Sequence, residues 1–294
     1  MKNLAWLLCR SFIEKRKKSS KELLFSFLPP FEKQIIQNLS PPSHDLTLGY
    51  DLQKDIFDST HFSWLIPFLR SFSEMDACFF LSSLDSSTAQ KLKVDLKHSL
   101  PLLPLSQTAQ KYFKSKMSEF LILQTQDLLP IKALPGSHLN VLLKLSHSDL
   151  RFIIELLGLH DLAVELKQII DNIKLKKIYA LFPREKEAFL KMLAHKKEPV
   201  MFRRIEISRW NEESETLLPL LFERGLNRFA KALYPESKDL IWYIKHQLDM
   251  NDASKFSSLC KNLEHPKAYS FLSNQVLEAV SFLQKIKNNP PISS

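Results

Sequence analysis

In a chain of 294 residues, 45% hydrophobic side chains and 21 phenylalanines supply enough apolar surface for a packed interior. That excludes a disordered tail, and the length exceeds what one core usually serves, so two subdomains are expected. Four glycines (Gly49, Gly136, Gly158 and Gly225) are too few for sheet-rich or phosphate-cradling folds, whose turns and close backbone approaches need that residue. The expected class is therefore all-α. The net charge of +9 is unevenly placed: residues 1–22 hold Lys2, Arg10, Lys15, Arg16, Lys17, Lys18 and Lys21 against Glu14 and Glu22, a local +5, while the remaining 272 residues carry only +4.

Taken in order, Leu4 to Leu28 reads as one helix stopped by Pro29-Pro30. Its apolar start is ended by Arg10 too early for a signal peptide, and no small-residue cleavage site follows. No stretch approaches the roughly 18–20 apolar residues that span a bilayer. A short helix from Phe31 to Leu39 ends before Pro41-Pro42, and residues 41–60 read as a loop. Ile66, Leu69 and Phe72 then lead into Ser73-Glu74-Met75-Asp76, followed by Ala77, Phe80, Leu81 and Leu84. Ser86-Ser87-Thr88 offers an N-cap for a helix through Leu96, and residues 105–129 give another helix. Turn formers cluster at Pro130 and Pro135-Gly136. They divide the chain into an N-terminal helical domain, 1–129, and a C-terminal one, 130–294.

The second half opens on the same pattern 73 positions later: Leu139, Leu142 and Leu145, then Ser146-His147-Ser148-Asp149, then Leu150, Ile153, Ile154 and Leu157. Gly158 falls where a helix C-cap is expected, and the helix from Asp161 to Leu181 stops at Pro183. Residues 195–209 are the least helical; Met201, Phe202, Ile205 and Ile207 predict a short extended segment. Helices resume over 216–233, 238–248 and 266–286, and residues 288–294 read as a frayed tail. A weaker third copy of the pattern runs Phe229, Ala232, Pro235, then Glu236-Ser237-Lys238-Asp239, then Leu240, Tyr243 and Ile244.

The Ser-x-x-Asp unit has a physical basis. The serine side chain accepts a bond from a helix-start N–H that has no other partner, and an acid three positions on reciprocates and suits the positive helix end. Helix–cap–helix units used repeatedly stack into arrays whose outer surface binds partners, which points to a scaffold rather than an enzyme with a pocket.

No nucleotide-binding glycine loop and no G-x-S-x-G elbow occurs. The nine histidines are scattered, the densest being His138, His147 and His160, and none has the spacing of a zinc site. Glu185/Glu187 and Glu212/Glu213/Glu215 read as solvated helix faces. No catalytic residue, metal or cofactor is expected. Cys9, Cys78 and Cys260 are odd in number and far apart, so each reads as a small buried apolar residue in a reducing, cytoplasmic setting. Two basic stretches remain. Lys15-Arg16-Lys17-Lys18 is a candidate contact for an acidic surface, either a membrane leaflet or a protein. Lys196, Lys197, Arg203, Arg204 and Arg209, interleaved with Phe202 and Trp210, have the cation-plus-aromatic character of a single-strand nucleic-acid surface as well as of an acidic-partner interface.

The repeated pattern resembles the helical, armadillo-like domains of the flagellar motor-switch protein FliG. Glu264-His265-Pro266-Lys267, with Ala268 and Leu272-Ser273 after it, is similar to the Glu-His-Pro-Gln motif that opens a helix in that family, with Lys267 in place of the glutamine. The segment Leu226 to Ile244 resembles the SctK group of type III secretion proteins, which occupy FliG's position in the injectisome. The resemblance implies a non-enzymatic cytoplasmic adaptor, at most peripheral to the inner membrane, joining the membrane ring of a secretion machine to its sorting platform. Arg203, Arg204, Trp210, Glu264, His265 and Pro266 are then the candidate interface, with Trp242 and Tyr243 as further anchors, although Trp242 also falls on the apolar, core-facing side of the third copy. The alternative is a basic helical regulator that binds nucleic acid, whose affinity would fall steeply with salt.

Overall fold

The structure, a computed structural model, describes residues 2–16, 18–40, 42, 46, 51–123, 125, 128–200, 202, 205, 207, 214–263 and 266–288. Among these residues there are fifteen α-helices and no β-strand, so the chain is all-α. Among them, an isolated bridge of β type pairs Pro42 with Pro135. In chain order the helices are α1 (Lys2–Glu14), α2 (Lys18–Ser26), α3 (Pro30–Asn38), α4 (Leu52–Ser59), α5 (Ile66–Leu69), α6 (Glu74–Ser82), α7 (Ser86–Leu96), α8 (Gln107–Ile122), α9 (His147–Leu166), α10 (Asn172–Ala180), α11 (Arg184–Ala194), α12 (Ser214–Leu233), α13 (Lys238–Gln247), α14 (Met250–Leu259) and α15 (Pro266–Asn288).

Two compact units form, and they interleave along the chain. The first comprises Met1–Asn140 with Ser237–Met250, the second Val141–Glu236 with Asn251–Ser294. A single cut after residue 129 therefore does not describe the division, because α13 returns to the first unit.

Two hydrogen bonds tie α13 to the segment at Leu129, and a third ties that segment to α4. The Tyr243 hydroxyl donates to the Leu129 carbonyl at 2.8 Å, the Leu129 N–H donates to Asp239 at 3.2 Å, and the Ile131 N–H donates to Asp55 of α4 at 2.9 Å. The buried, non-helical backbone around Leu129 would otherwise lack partners. Burial pushes both the Asp55 and the Asp239 carboxyls up, and burial together with those two carboxylates pushes the Tyr243 phenol far up, so it stays an O–H donor. Beside an aliphatic core that includes Leu65, Leu69, Leu81, Leu92 and Met117, this unit holds an aromatic cluster. Phe68 meets Phe72, Phe80 and Phe120 with ring centroids 5.0 Å apart in each pair, and Phe80 meets Phe113 edge-on at 5.0 Å.

In the second unit α9 is the central helix. It packs against α11, α12 and α15, and its residues from Leu156 through Ala163 are all buried. Gly158, expected as a C-cap, lies inside α9. A Cβ there would collide with the Leu221 carbonyl of α12, and one on Gly225 would collide with the Ile154 carbonyl of α9. The pair permits a close helix crossing. The helix therefore continues to Leu166, and a separate α10 starts at the Asp171 cap, so no single helix spans 161–181.

Other differences have local causes. The expected helix over 4–28 breaks between Glu14 and Lys18, where Lys15 and Lys18 set like charges three positions apart. The expected loop at 41–60 contains α4, capped by Asp51, which accepts from the Lys54 N–H at 3.0 Å. Cys78 is buried and its thiol donates to the Pro101 carbonyl at 3.0 Å, whereas Cys9 and Cys260 are only half-buried.

The repeated caps differ in quality. Ser73 accepts from the Asp76 N–H at 3.2 Å, and Ser146 and Asp149 form a complete reciprocal box. Both follow a 3-10 turn, Phe62–Leu65 (through α5) and His138–Lys144. The third copy is different. Ser237 caps α13 through the Leu240 N–H, Asp239 is diverted to Leu129, and the preceding element is the 20-residue helix α12.

Candidate functional site

The last turn of α13 leaves carbonyls without helical partners. In the first unit these are met by the 3-10 turn after α4. The His61 N–H donates to the His246 carbonyl at 2.7 Å, and the Trp64 indole N–H donates to the Leu248 carbonyl at 3.0 Å. Ser63 accepts from the Met250 N–H at 3.0 Å. This pinning stacks the His246 ring between two indoles, 4.1 Å from Trp64 and 3.8 Å from Trp242. The Nδ1 of His246 lies 2.7 Å from the Trp242 carbonyl, so that nitrogen carries the proton. Burial, with a smaller effect from the Lys245 charge, outweighs that bond and pulls His246 down to about 4, so the ring is neutral at pH 7.

Beside the stack opens a cleft of about 290 Å³, lined by Trp64, Phe120, Leu121, Leu123, Trp242 and His246, with Thr125 and Lys245 at its polar edge. The Lys245 ammonium lies 5.4 Å over the Trp64 ring, and Leu123 is 79% exposed. Among the described residues the floor is aromatic, Lys245 is the cation at the rim, and no ionised acid–base pair converges there. A volume at the lower end of the roughly 300–1,000 Å³ of ligand pockets suits one or two inserted side chains better than a cofactor. Buried aromatic pockets of this kind take the anchor residues of protein partners.

The second unit holds a buried charged node. Arg228 of α12 is fully buried and donates to Asp161 of α9, to Glu198 at 3.2 Å, to Gln275 of α15 at 2.9 Å and to the Val200 carbonyl at 3.1 Å. Burial opposes ionisation of Glu198, but the hydrogen bond with His160 (2.9 Å) and the Arg228 charge prevail and hold its carboxyl at about 2. Glu165 of α9 accepts from the N–H groups of Ile205 and Ile207. These contacts clamp the segment after α11 onto α9 without a strand. The expected extended segment falls largely outside the described residues, as does its Met201; of its described positions Ile207 is buried. Phe202 is half-buried with its ring 5.0 Å from the Arg228 guanidinium, and Lys196 pairs with Glu278. Neither is a free stacking or phosphate-binding group of the kind a single-strand surface needs.

Of the residues singled out from the sequence, Arg203, Arg204, Trp210, Glu264, His265 and Lys17 lie outside the described residues. Pro266 opens α15 at its first position, where proline is favoured. Lys15 and Arg16 are exposed just after α1, and Lys18 begins α2. Trp242 forms the cleft floor and Tyr243 is buried, so neither protrudes as an anchor. Trp64, Phe120, Leu123 and Lys245 were not foreseen. The available signal was the Trp242/His246 pair, four apart on one helix face. Among the described residues no three His, Cys, Asp or Glu side chains are placed to hold a metal ion, and no helix is long and apolar enough to cross a membrane. No family model matches the chain, and neither the curated proteins nor the solved structures yield a match.

Proposed function

We infer that this chain is a non-enzymatic scaffold joining the inner-membrane ring of a type III secretion, flagellum-like apparatus to its cytoplasmic sorting platform. The observation that carries the reading is the aromatic cleft over Trp64, Trp242 and His246. It is preformed, open to solvent and equipped to receive an apolar anchor with an acidic neighbour, the latter meeting Lys245. The Ser73- and Ser146-capped units support a FliG-like helix–cap–helix kinship, and the likeness of residues 226–244 to the SctK group supplies the machine.

Capture of ring and platform components from intact cells tests the reading. Leu123→Asp places a charge at the cleft mouth from an exposed position, so thermal stability should hold while capture falls about tenfold. If the unaltered chain recovers no ring or platform component, the reading falls.

A further inference from the structure

Four large apolar side chains near the start of the chain stand in solvent: Phe27 is 76% exposed, Phe31 72%, Leu23 59% and Phe12 46%. They do not belong to the apolar stripe of α1, because Leu7 and Ile13 are buried and α1 packs on α3, whose Ile36 is buried too. Three of them sit instead at the α2–α3 corner. Leu23 is on α2, Phe27 is in the turn closed by its N–H to the Leu24 carbonyl, and Phe31 is in the first turn of α3. The segment that carries them is rich in cations, two of which lie over rings. The Arg16 guanidinium lies 4.4 Å over the Phe12 ring and the Lys33 ammonium 5.9 Å over the Phe25 ring. Through residue 33 the chain carries Lys2, Arg10, Lys15, Arg16, Lys17, Lys18, Lys21 and Lys33 against three acids, Glu14, Glu22 and Glu32. Glu14 is already engaged by Arg10 at 2.8 Å.

Protruding rings within a positive field match the boundary of an anionic bilayer, where rings enter the headgroup–acyl region and cations meet phosphates. A fluid acyl phase accepts protruding side chains in any orientation, whereas a folded protein must offer a shaped recess for each. We propose that the α2–α3 corner docks this chain on an anionic phospholipid surface. The proposal stands independently of the adaptor reading.

The full chain is floated with vesicles of phosphatidylcholine alone and of an equimolar phosphatidylcholine–phosphatidylglycerol mixture. It should rise with the anionic vesicles and not with the neutral ones. Phe27→Ser/Phe31→Ser should lower the bound fraction about tenfold with an unchanged melting temperature, since both rings are already exposed. Lys15→Glu/Arg16→Glu should weaken the dependence on phosphatidylglycerol. No binding to anionic vesicles overturns the proposal, as does undiminished binding by the double serine variant. If the vesicles are ignored but that variant loses capture of a protein component, the corner serves a protein and the lipid proposal is likewise overturned. Failure of the adaptor reading shows separately, as absent capture by a chain that still floats.

Discussion

His246 makes the first unit sensitive to acid. The folded chain holds it neutral down to about 4, whereas an unfolded histidine takes up its proton near 6.5. Between those values the unfolded state binds more protons, so stability falls as pH falls, by about 3 kcal/mol across the window. Asp55 and Asp239, whose carboxyls burial pushes up, act in the opposite sense, so a comparison is needed to isolate the histidine. His246→Phe keeps a ring between the two indoles and should flatten the loss of stability between pH 6.5 and 4, read by tryptophan fluorescence during melting. At this scale the sequence was informative only where partners are close along the chain. Ser73 with Asp76 and Ser146 with Asp149 could be read directly, because a cap and its acid are three residues apart. The Trp64 bond to Leu248 joins residues 184 positions apart, and no local pattern announces it.

Glycine shows how an element can be misread from its own residues. A glycine that ends a helix and one that lets two helices touch look alike until the neighbour is known. Gly158 and Gly225 are of the second kind, each beneath a carbonyl of the facing helix. Gly158→Ala should therefore cost about 1–3 kcal/mol in chemical denaturation, or more if α9 and α12 are forced apart. Gly136→Ala, with nothing within 4 Å of the added methyl, should change stability by less than about 0.5 kcal/mol. The helix α4 was hidden for another reason. Pro41-Pro42 and weak periodicity suggested a loop, and only its Asp51 cap marked a start. The break between α1 and α2 falls within the basic run at 15–18, where the like charges Lys15 and Lys18 stand three apart.

For the whole molecule, the all-α class followed from few glycines and long helix-forming stretches, but the interleaving of the units did not. It depends on Tyr243 and Asp239 meeting Leu129 and on His246 and Leu248 meeting the turn at Phe62–Leu65, all contacts between distant parts of the chain. A fragment of residues 1–140 lacks α13. It should melt without a cooperative transition by circular dichroism, while the same fragment extended through a short linker by residues 237–250 should regain one. The same connectivity sets a schedule during synthesis. Translation at roughly 5–20 residues per second leaves the ends of the first unit separated by about 5–20 s of elongation. Once Leu129 and its neighbours leave the exit tunnel, they wait an interval of that order for the helix that covers them. The nascent chain thus presents an apolar seam for a chaperone to hold, and a codon-level slowing between residues 141 and 236 would lengthen that exposure rather than relieve it.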